Sequence, residues 1–144
     1  MSETIMGRVT TPATIENLGD LYNVNKGLCK PEQVRRIHVD EALVDTGAMI
    51  LSLPSRLIKE LGLHVVGFKE TMTAGGPRRA NVCEAVRLTV QDRDCSVDVL
   101  EVPDNVPVLI GQIPLEVLDF VVHPQEQKLV GNPRHGGKQM FEMY

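Results

Sequence analysis

The chain has 144 residues, of which 42% are hydrophobic and 24% charged, and this balance suits one compact domain with a single core. The net charge of −4 and the scattered lysines and arginines exclude the basic face that a nucleic-acid-binding protein needs. The N-terminal sequence MSETIMGRVT lacks the basic start and apolar run of a secretory signal, and no apolar stretch reaches the length of a membrane span. We therefore expect a cytoplasmic protein with no nucleic-acid or membrane partner.

The cysteines and histidines do not form the pattern of a metal site. Cys29, Cys83 and Cys95 stand far apart, which is typical of reduced thiols and not of a disulfide framework or a zinc site. The four histidines also lack the spacing of metal ligands. A glycine-rich phosphate loop and the glycine-flanked serine of a hydrolase are both missing from the sequence. We expect no metal and no cofactor.

Taken in chain order, the elements are mostly short strands with β-branched residues, bounded by turn residues. Strand patterns occur at residues 9–15, 21–24, 34–39, 42–44, 65–73, 78–90 and 96–102. Turns are expected at residues 16–19, 40–41 and 91–94. The pattern predicts a mostly-β fold.

Two short helices are predicted, and each begins at a proline that suits the first helical turn. Pro54 precedes a helix over residues 55–61 that ends at Gly62, and Pro114 opens a helix over residues 115–119. Each of the two helices is preceded by an apolar strand that leads to a glycine. This echo suggests two similar halves around a local twofold axis.

Two regions are distinguished along the chain. We assign residues 1–131 to the folded domain and residues 132–144 to a C-terminal tail. The tail contains Gly136-Gly137 and little apolar pattern, so we expect it to be loose or to join an interface.

One aspartate stands in an unusually apolar setting. Asp45 begins the segment Asp45-Thr46-Gly47-Ala48, directly after Ala42-Leu43-Val44 and before Met49-Ile50-Leu51. Aspartate and glycine are common in ordinary turns. A carboxylate at the end of a strand predicted to be buried is costly, however, unless it is paired with another group. Asp45 is therefore the first candidate for a functional residue.

The sequence at this point resembles a known family. Asp45-Thr46-Gly47-Ala48 followed by Leu51-Ser52-Leu53-Pro54 is similar to the first signature of the retropepsin-like aspartic proteases. Leu109-Ile110-Gly111, before a short helix, is similar to the second signature, and Ala74-Gly75-Gly76 lies where the family has the tip of its flap. The resemblance covers residues 34–122 and is to the small cellular and bacterial members. It implies a single-domain acid-protease fold of closed, barrel-like β-sheets, with a flap hairpin and one or two short helices.

The resemblance implies an aspartic endopeptidase acting on a peptide or protein substrate. In such enzymes two carboxylates share one proton, so that one activates a water as base and the other protonates the peptide carbonyl oxygen. The chain has one Asp-Thr-Gly, so the second carboxylate is expected from another copy. A homodimer would place Asp45 against its own copy across a twofold axis.

The resemblance also assigns roles to the neighbouring residues. The catalytic set is Asp45, Thr46 and Gly47, in which the Thr46 hydroxyl is implied to hydrogen-bond across the dimer axis and Gly47 to admit the substrate backbone. The residues expected to bind substrate are Ala48, Ile50, Ala74, Gly75, Gly76, Val106, Pro107 and Leu109. Gly75 and Gly76 are expected to give the flap positive φ angles and flexibility. For the apolar members of the set, a place in the core is the alternative.

Two positions depart from the viral members of the family. Those enzymes usually carry an acidic residue after the alanine and an arginine after the second glycine, where this chain has Met49 and Gln112. Viral substrate specificity is therefore a poor guide here. The alternative function is a non-catalytic dimerisation or peptide-binding module on the same fold, and a third is a β-rich protein unrelated to proteases. The intact Asp-Thr-Gly favours the peptidase.

Overall fold

The computed structural model describes residues 8–123 and 125–143, so the first seven residues and the last residue of the predicted tail lie outside the described residues. The described strands are β1 Thr10–Asn17, β2 Arg36–Val44, β3 Leu51–Pro54, β4 Val65–Thr73, β5 Gly76–Val90, β6 Arg93–Val102, β7 Leu109–Ile110, β8 Phe120–His123 and β9 Lys128–Gly131. The described α-helices are α1 Leu18–Asn25, α2 Ser55–Leu61 and α3 Gln112–Leu118, and short 3-10 helices cover Pro31–Gln33 and Pro133–His135. Among the described residues, no helix has the length and apolar character needed to cross a membrane.

Strand pairing closes six of the strands into a ring. Along the ring the strands follow the order β1-β2-β7-β3-β6-β5, and β5 pairs back onto β1. Such closure leaves no free sheet edge among the ring members. β4 pairs with β5 alone, so the β4–β5 hairpin extends from the ring. The predicted mostly-β fold of closed, barrel-like sheets with a flap hairpin is confirmed, with three short helices in place of one or two.

The core fills the inside of this ring because alternate side chains of each strand point inward. On β6, for example, Cys95, Val97 and Val99 are buried while the residues between them are exposed. The largest fully buried side chains are contributed by β1, β3, α2, β5, β7 and α3, namely Ile15, Leu51, Leu53, Leu61, Leu88, Ile110 and Leu118. Burial along β6 therefore has the period of two that is typical of a strand with one face in the core.

The turn predicted at residues 16–19 and the strand predicted at residues 21–24 are wrong, because the chain forms α1 there. Asn17 ends β1 and caps the helix, since its Oδ1 accepts a hydrogen bond from the Asp20 N–H at 3.0 Å. Its Nδ2 also donates to the Leu61 carbonyl at 2.8 Å. Asparagine is among the best N-cap residues, and its cap outweighs the strand preference of the residues that follow.

The turn predicted at residues 40–41 is also wrong, since β2 runs through this point without a break. Thr11 pairs with Ala42 and Ala13 pairs with Val39, so two residues of β2 lie opposite Pro12 of β1. This is a β-bulge, in which the strand continues with one extra residue. Proline cannot donate to the ladder, which makes its position a natural place for the irregularity.

The C-terminal part of the chain packs on the domain. β8 and β9 form a hairpin that sequence patterns did not predict, and Asn132 follows it directly. Beyond the hairpin, the side chain of Gln139 donates to the Val117 carbonyl at 3.0 Å. The N–H of Met140 donates to Oδ2 of Asp119 at 3.1 Å. Residues of the predicted tail thus contact the end of α3, while the proposed boundary at residue 131 stays a prediction.

Candidate active site

Asp45 lies at the end of one of two parallel strands in the ring. β2 and β7 pair in parallel, with Leu43 opposite Leu109 and Val44 opposite Ile110. The next residue, Asp45, donates its N–H to the Ile110 carbonyl at 3.0 Å. The buried β7 strand therefore fixes the backbone of Asp45, although its side chain is only half-buried.

A tight loop orients the carboxylate of Asp45. Its Oδ1 accepts a hydrogen bond from the Gly47 N–H at 2.9 Å, and its carbonyl accepts one from the Ala48 N–H at 3.1 Å. A Cβ atom at Gly47 would lie 3.2 Å from Oδ1, which is closer than ordinary contact. Glycine therefore leaves room for this hydrogen bond and for a ligand backbone above it. Within the described part of the chain, Oδ2 of Asp45 has no hydrogen-bond partner.

A second loop, at Gly111, interlocks with the loop of Asp45. The N–H groups of Gly111, Gln112 and Ile113 donate to three successive carbonyls at 2.9–3.0 Å, those of Ile50, Ala48 and Met49. A Cβ at Gly111 would lie 2.5 Å from the Ile50 carbonyl oxygen, so no other residue fits without movement. Gly111 is a supporting residue missing from the predicted site, although it was recognised as part of the second signature.

Two adjoining cavities form a cleft between the Asp45 loop and the flap. The cavity nearer to the Asp45 loop has a volume of about 490 Å³, and its lining includes Gly47, Ala48, Met49, Ile50, Met72 and Leu100. The second has a volume of about 650 Å³, and its lining includes Ser55, Thr73, Arg78, Pro103 and Leu109. Both cavities share Ser52, Thr71 and Leu100, so they form one continuous groove.

The flap is the hairpin of β4 and β5, and its tip is the two-residue turn Ala74-Gly75. Gly76, directly after the turn, has a φ of +104°, a conformation that side chains rarely adopt. Gly75 does not have the positive φ expected of it. The hydroxyl of Thr73 donates to the Gly76 carbonyl at 2.7 Å, and that of Thr71 to the Arg78 carbonyl at 3.1 Å. These bonds hold the hairpin together where the ring no longer supports it.

Asp45 and the exposed Thr46 line neither cavity, and the other nine predicted site residues fall into three groups. Gly47, Ala48, Ile50 and Leu109 line the cleft, while Ala74, Gly75 and Gly76 form the tip of the flap. Val106 and Pro107 lie on the loop before β7 and line neither cavity, so their role in binding substrate stays a prediction.

Several cleft residues were missing from the sequence-based set. Ser52, Lys69, Thr71, Met72, Arg78 and Leu100 line the two cavities. Strand alternation on β4 and β5 could have shown that Lys69, Thr71 and Arg78 share a face. Which face meets the Asp45 loop depends on how the hairpin folds over the ring.

The two buried cysteines of the domain are not suited to nucleophilic chemistry. Cys83 and Cys95 are buried free thiols, and burial raises the pKa of each to about 11. Since the thiolate is the reactive form, neither is a candidate nucleophile. Among the described residues, no three His, Cys, Asp or Glu side chains cluster in a way that could hold a metal ion.

The family model of the aspartyl proteases matches residues 34–130, two thirds of the chain. The chain belongs to the aspartyl protease family. The matched part of this aspartyl protease contains the Asp45 loop, the flap and the Gly111 loop, and the retropepsin-like resemblance is confirmed. The ring of strands is the single-domain aspartic protease fold. No curated protein shows a significant sequence match to the chain.

Proposed function

We propose that this aspartyl protease is an endopeptidase that works as a homodimer, with Asp45 of each copy supplying one catalytic carboxylate. The observation that carries the proposal is the position of Gly111. β7 runs parallel to β2, so that Gly111, the residue after β7, corresponds to Asp45, the residue after β2. The one chain therefore has two interlocked loops at its centre but a carboxylate on only one of them.

Two Asp45 carboxylates close together would divide the work of hydrolysis between them. They cannot both ionise at short range, so one holds the shared proton. The ionised carboxylate takes a proton from a water as its oxygen attacks the peptide carbonyl carbon. The protonated one donates its proton to the carbonyl oxygen, and breakdown of the tetrahedral intermediate then transfers a proton to the leaving amine. The Gly47 N–H supports this role because it holds Oδ1 in place and leaves Oδ2 without a described partner.

Apolar surface beside the Asp45 loop supports the dimer. Met49 is 67% exposed and Ile113 is 41% exposed, and the N–H of Ile113 donates to the carbonyl of Met49 at 2.9 Å. Exposed apolar side chains grouped at one place mark an interaction surface more often than isolated ones do. In the proposed dimer the same surface of each copy would meet across the twofold axis.

Cleavage of a random peptide library by the purified protein tests the proposal. We expect wild type to generate products that mass spectrometry detects, and Asp45→Asn to lose at least about 100-fold in rate, as for a general base or acid. The matched control is Asp40→Asn, because Asp40 is an exposed aspartate on the same strand. Circular dichroism and melting temperature must show that all three proteins are folded.

Two results would count against the proposal in different ways. Equal rates for wild type and Asp45→Asn would remove Asp45 from the mechanism. Binding of library peptides by a folded dimer that cleaves none of them would favour the non-catalytic binding module.

A further inference from the structure

The cleft carries positive charge on the side of the flap that faces it. In the β4–β5 hairpin, Thr71 pairs with Arg78 and Lys69 pairs with Ala80, so these four side chains share one face of the flap. Thr71 on that face lines both cavities and is less exposed than its neighbours on β4. On the same face, Lys69 lines the nearer cavity and Arg78 lines the second, which Arg79 also lines from the other face of the hairpin.

Neither cation is neutralised by the protein. Arg78 donates to the carbonyl of Pro77 at 3.0 Å, and neither Arg78 nor Lys69 forms an ion pair with any described residue. By contrast, the exposed Arg36 pairs with Glu16 at 3.0 Å. Lys69 and Arg78 therefore have their charge available to a ligand in the groove.

Two carboxylates also line the cavities, Glu70 in the nearer one and Glu101 in the second. Glu70 lies opposite Arg79 in the hairpin, on the other face from Thr71, and Arg79 stacks over Phe68 at 5.3 Å. Glu101 accepts a hydrogen bond from the Asn81 amide at 2.9 Å. Over residues 69–80, the face of the flap that bears Thr71 therefore has two cations, Lys69 and Arg78, and no carboxylate.

We propose that this protease selects peptides with glutamate or aspartate side chains flanking the scissile bond, held by Lys69 and Arg78. The inference rests on the proposed peptidase function and names its substrate class. Since the chain as a whole has a net charge of −4, the preference would come from the local field of the groove and not from the overall charge. In a symmetric dimer the groove would have the same cations on both sides of the dyad, so acidic residues would be favoured on both sides of the cleaved bond.

Matched peptides test this specificity. A peptide cleaved in the library is resynthesised with Glu, Gln or Lys at each position flanking the scissile bond, and kcat/KM is measured for each. We expect Glu to be favoured over Gln by about fivefold for each cation contacted, and Lys to be the poorest substrate. Raising the salt concentration should reduce the difference, because the charges are partly exposed.

Charge-reversal variants assign the preference to the two residues. Arg78→Glu and Lys69→Glu should each lower kcat/KM for the Glu peptides and raise it for the Lys peptides. The matched control is Lys59→Glu, which changes the net charge by the same amount as the two test variants. Lys59 is an exposed residue of α2 and lies outside both cavities. Lys59→Glu should leave the order of kcat/KM among the Glu, Gln and Lys peptides unchanged.

The outcomes separate this inference from the function on which it rests. Cleavage that depends on Asp45 but is equally fast for Glu and Gln peptides, or faster for Lys, would overturn the proposed specificity and leave the peptidase intact. If no peptide is cleaved, or if cleavage survives Asp45→Asn, the proposed function itself fails.

Discussion

Nδ1 of His135 lies 2.5 Å from Oδ2 of Asp119, a contact that joins the C-terminal segment to the end of α3. The other ring nitrogen, Nε2, lies 2.9 Å from a carboxylate oxygen of Glu142. Bonds to two carboxylates need a proton on both ring nitrogens, so this arrangement suits the imidazolium form. The Asp119 carboxylate also accepts from Asn132 at 3.1 Å, and Arg93 donates to the Asp119 carbonyl at 2.8 Å.

These contacts raise the pKa of His135 and lower the pKa of Asp119. The hydrogen bond to Glu142, followed by that to Asp119, raises the pKa of His135 above its ordinary 6.5. Burial works to raise the pKa of Asp119, but the hydrogen bonds from His135 and Asn132 together hold it below its ordinary 3.8. The His135 contribution to stability is complete below 6.5 and is lost as the pH rises through its raised pKa. The Asp119 contribution is complete above 3.8 and is lost as the pH falls through its lowered pKa.

We therefore expect the C-terminal segment to be held most firmly between pH 3.8 and 6.5. His135→Gln should lower the melting temperature most in this window and less at higher pH, where the neutral imidazole of wild type has lost its charge and one of its two N–H donors. The measurement is the melting temperature of both proteins across the pH range. His38→Gln is the control, because His38 is 61% exposed. A difference between wild type and His135→Gln that does not vary with pH would contradict this account.

Gly111→Ala should destabilise the domain and reduce proteolysis together. The added methyl would lie 2.5 Å from the Ile50 carbonyl, so the two interlocked loops must move apart. Overpacking of this kind costs about 1–3 kcal/mol of unfolding free energy. Urea denaturation measures the loss, and peptide cleavage measures the displacement of Asp45.

The control for this substitution is Gly67→Ala. A Cβ at Gly67 meets nothing within 4 Å and its φ is not positive. The unfolding free energy of Gly67→Ala should remain within about 0.5 kcal/mol of the wild-type value. If Gly111→Ala and Gly67→Ala have the same unfolding free energy, the close packing at Gly111 has no energetic consequence.

Gly76→Val should reduce turnover more than stability. A β-branched residue at a φ of +104° is strongly disfavoured, so the hairpin would have to change its turn and the flap its position over the cleft. We expect a stability cost of about 1–2 kcal/mol and a loss of turnover of at least tenfold, roughly what misplacement of a positioning element causes. Steady-state kinetics and thermal unfolding of the same preparations check both values.

Gly67→Val provides the comparison for the flap, because it adds the same side chain to β4 at a position without a positive φ and with open space around it. Valine is well accepted in strands. Turnover by Gly76→Val equal to that of wild type would show that the tip of the hairpin does not act as a flap.

Activity should require the dimer. Specific activity is expected to fall on dilution below the dimer dissociation constant, and analytical ultracentrifugation over the same concentrations should show dissociation. Excess Asp45→Asn mixed with wild type should suppress activity, because each mixed dimer has only one competent carboxylate. A fully active monomer would overturn both the dimer and the shared pair of carboxylates.

Ile113→Asp tests where the two copies meet. The side chain is 41% exposed in one copy, so a charge there should change the stability of the monomer little, while it should raise the dimer dissociation constant. Leu28→Asp is the matched control, because Leu28 is 73% exposed on the loop after α1. An unchanged dissociation constant in Ile113→Asp would place the interface elsewhere.

The sequence by itself determined the class of the fold and the residue at its centre. Local signals were sufficient for most strands and for α2, because short runs of β-branched residues, the proline before the helix and the left-handed Gly62 at its end act within a few residues. The single Asp-Thr-Gly identified Asp45 for the same reason. Local signals misled where a side chain had a structural partner elsewhere. Asn17 caps α1 and binds the Leu61 carbonyl, so a segment with strand character became a helix.

Only the tertiary structure decided which distant residues meet. The parallel pairing of β2 with β7 places Gly111 beside Asp45, and the fold of the flap places Lys69 and Arg78 over the cleft. The same is true of Asp119, which looked like an ordinary residue at a helix end until the chain returned to place His135 against it. These contacts join residues far apart in the chain. Their formation depends on loop closure and packing of the whole ring, which the pattern of any one segment does not contain.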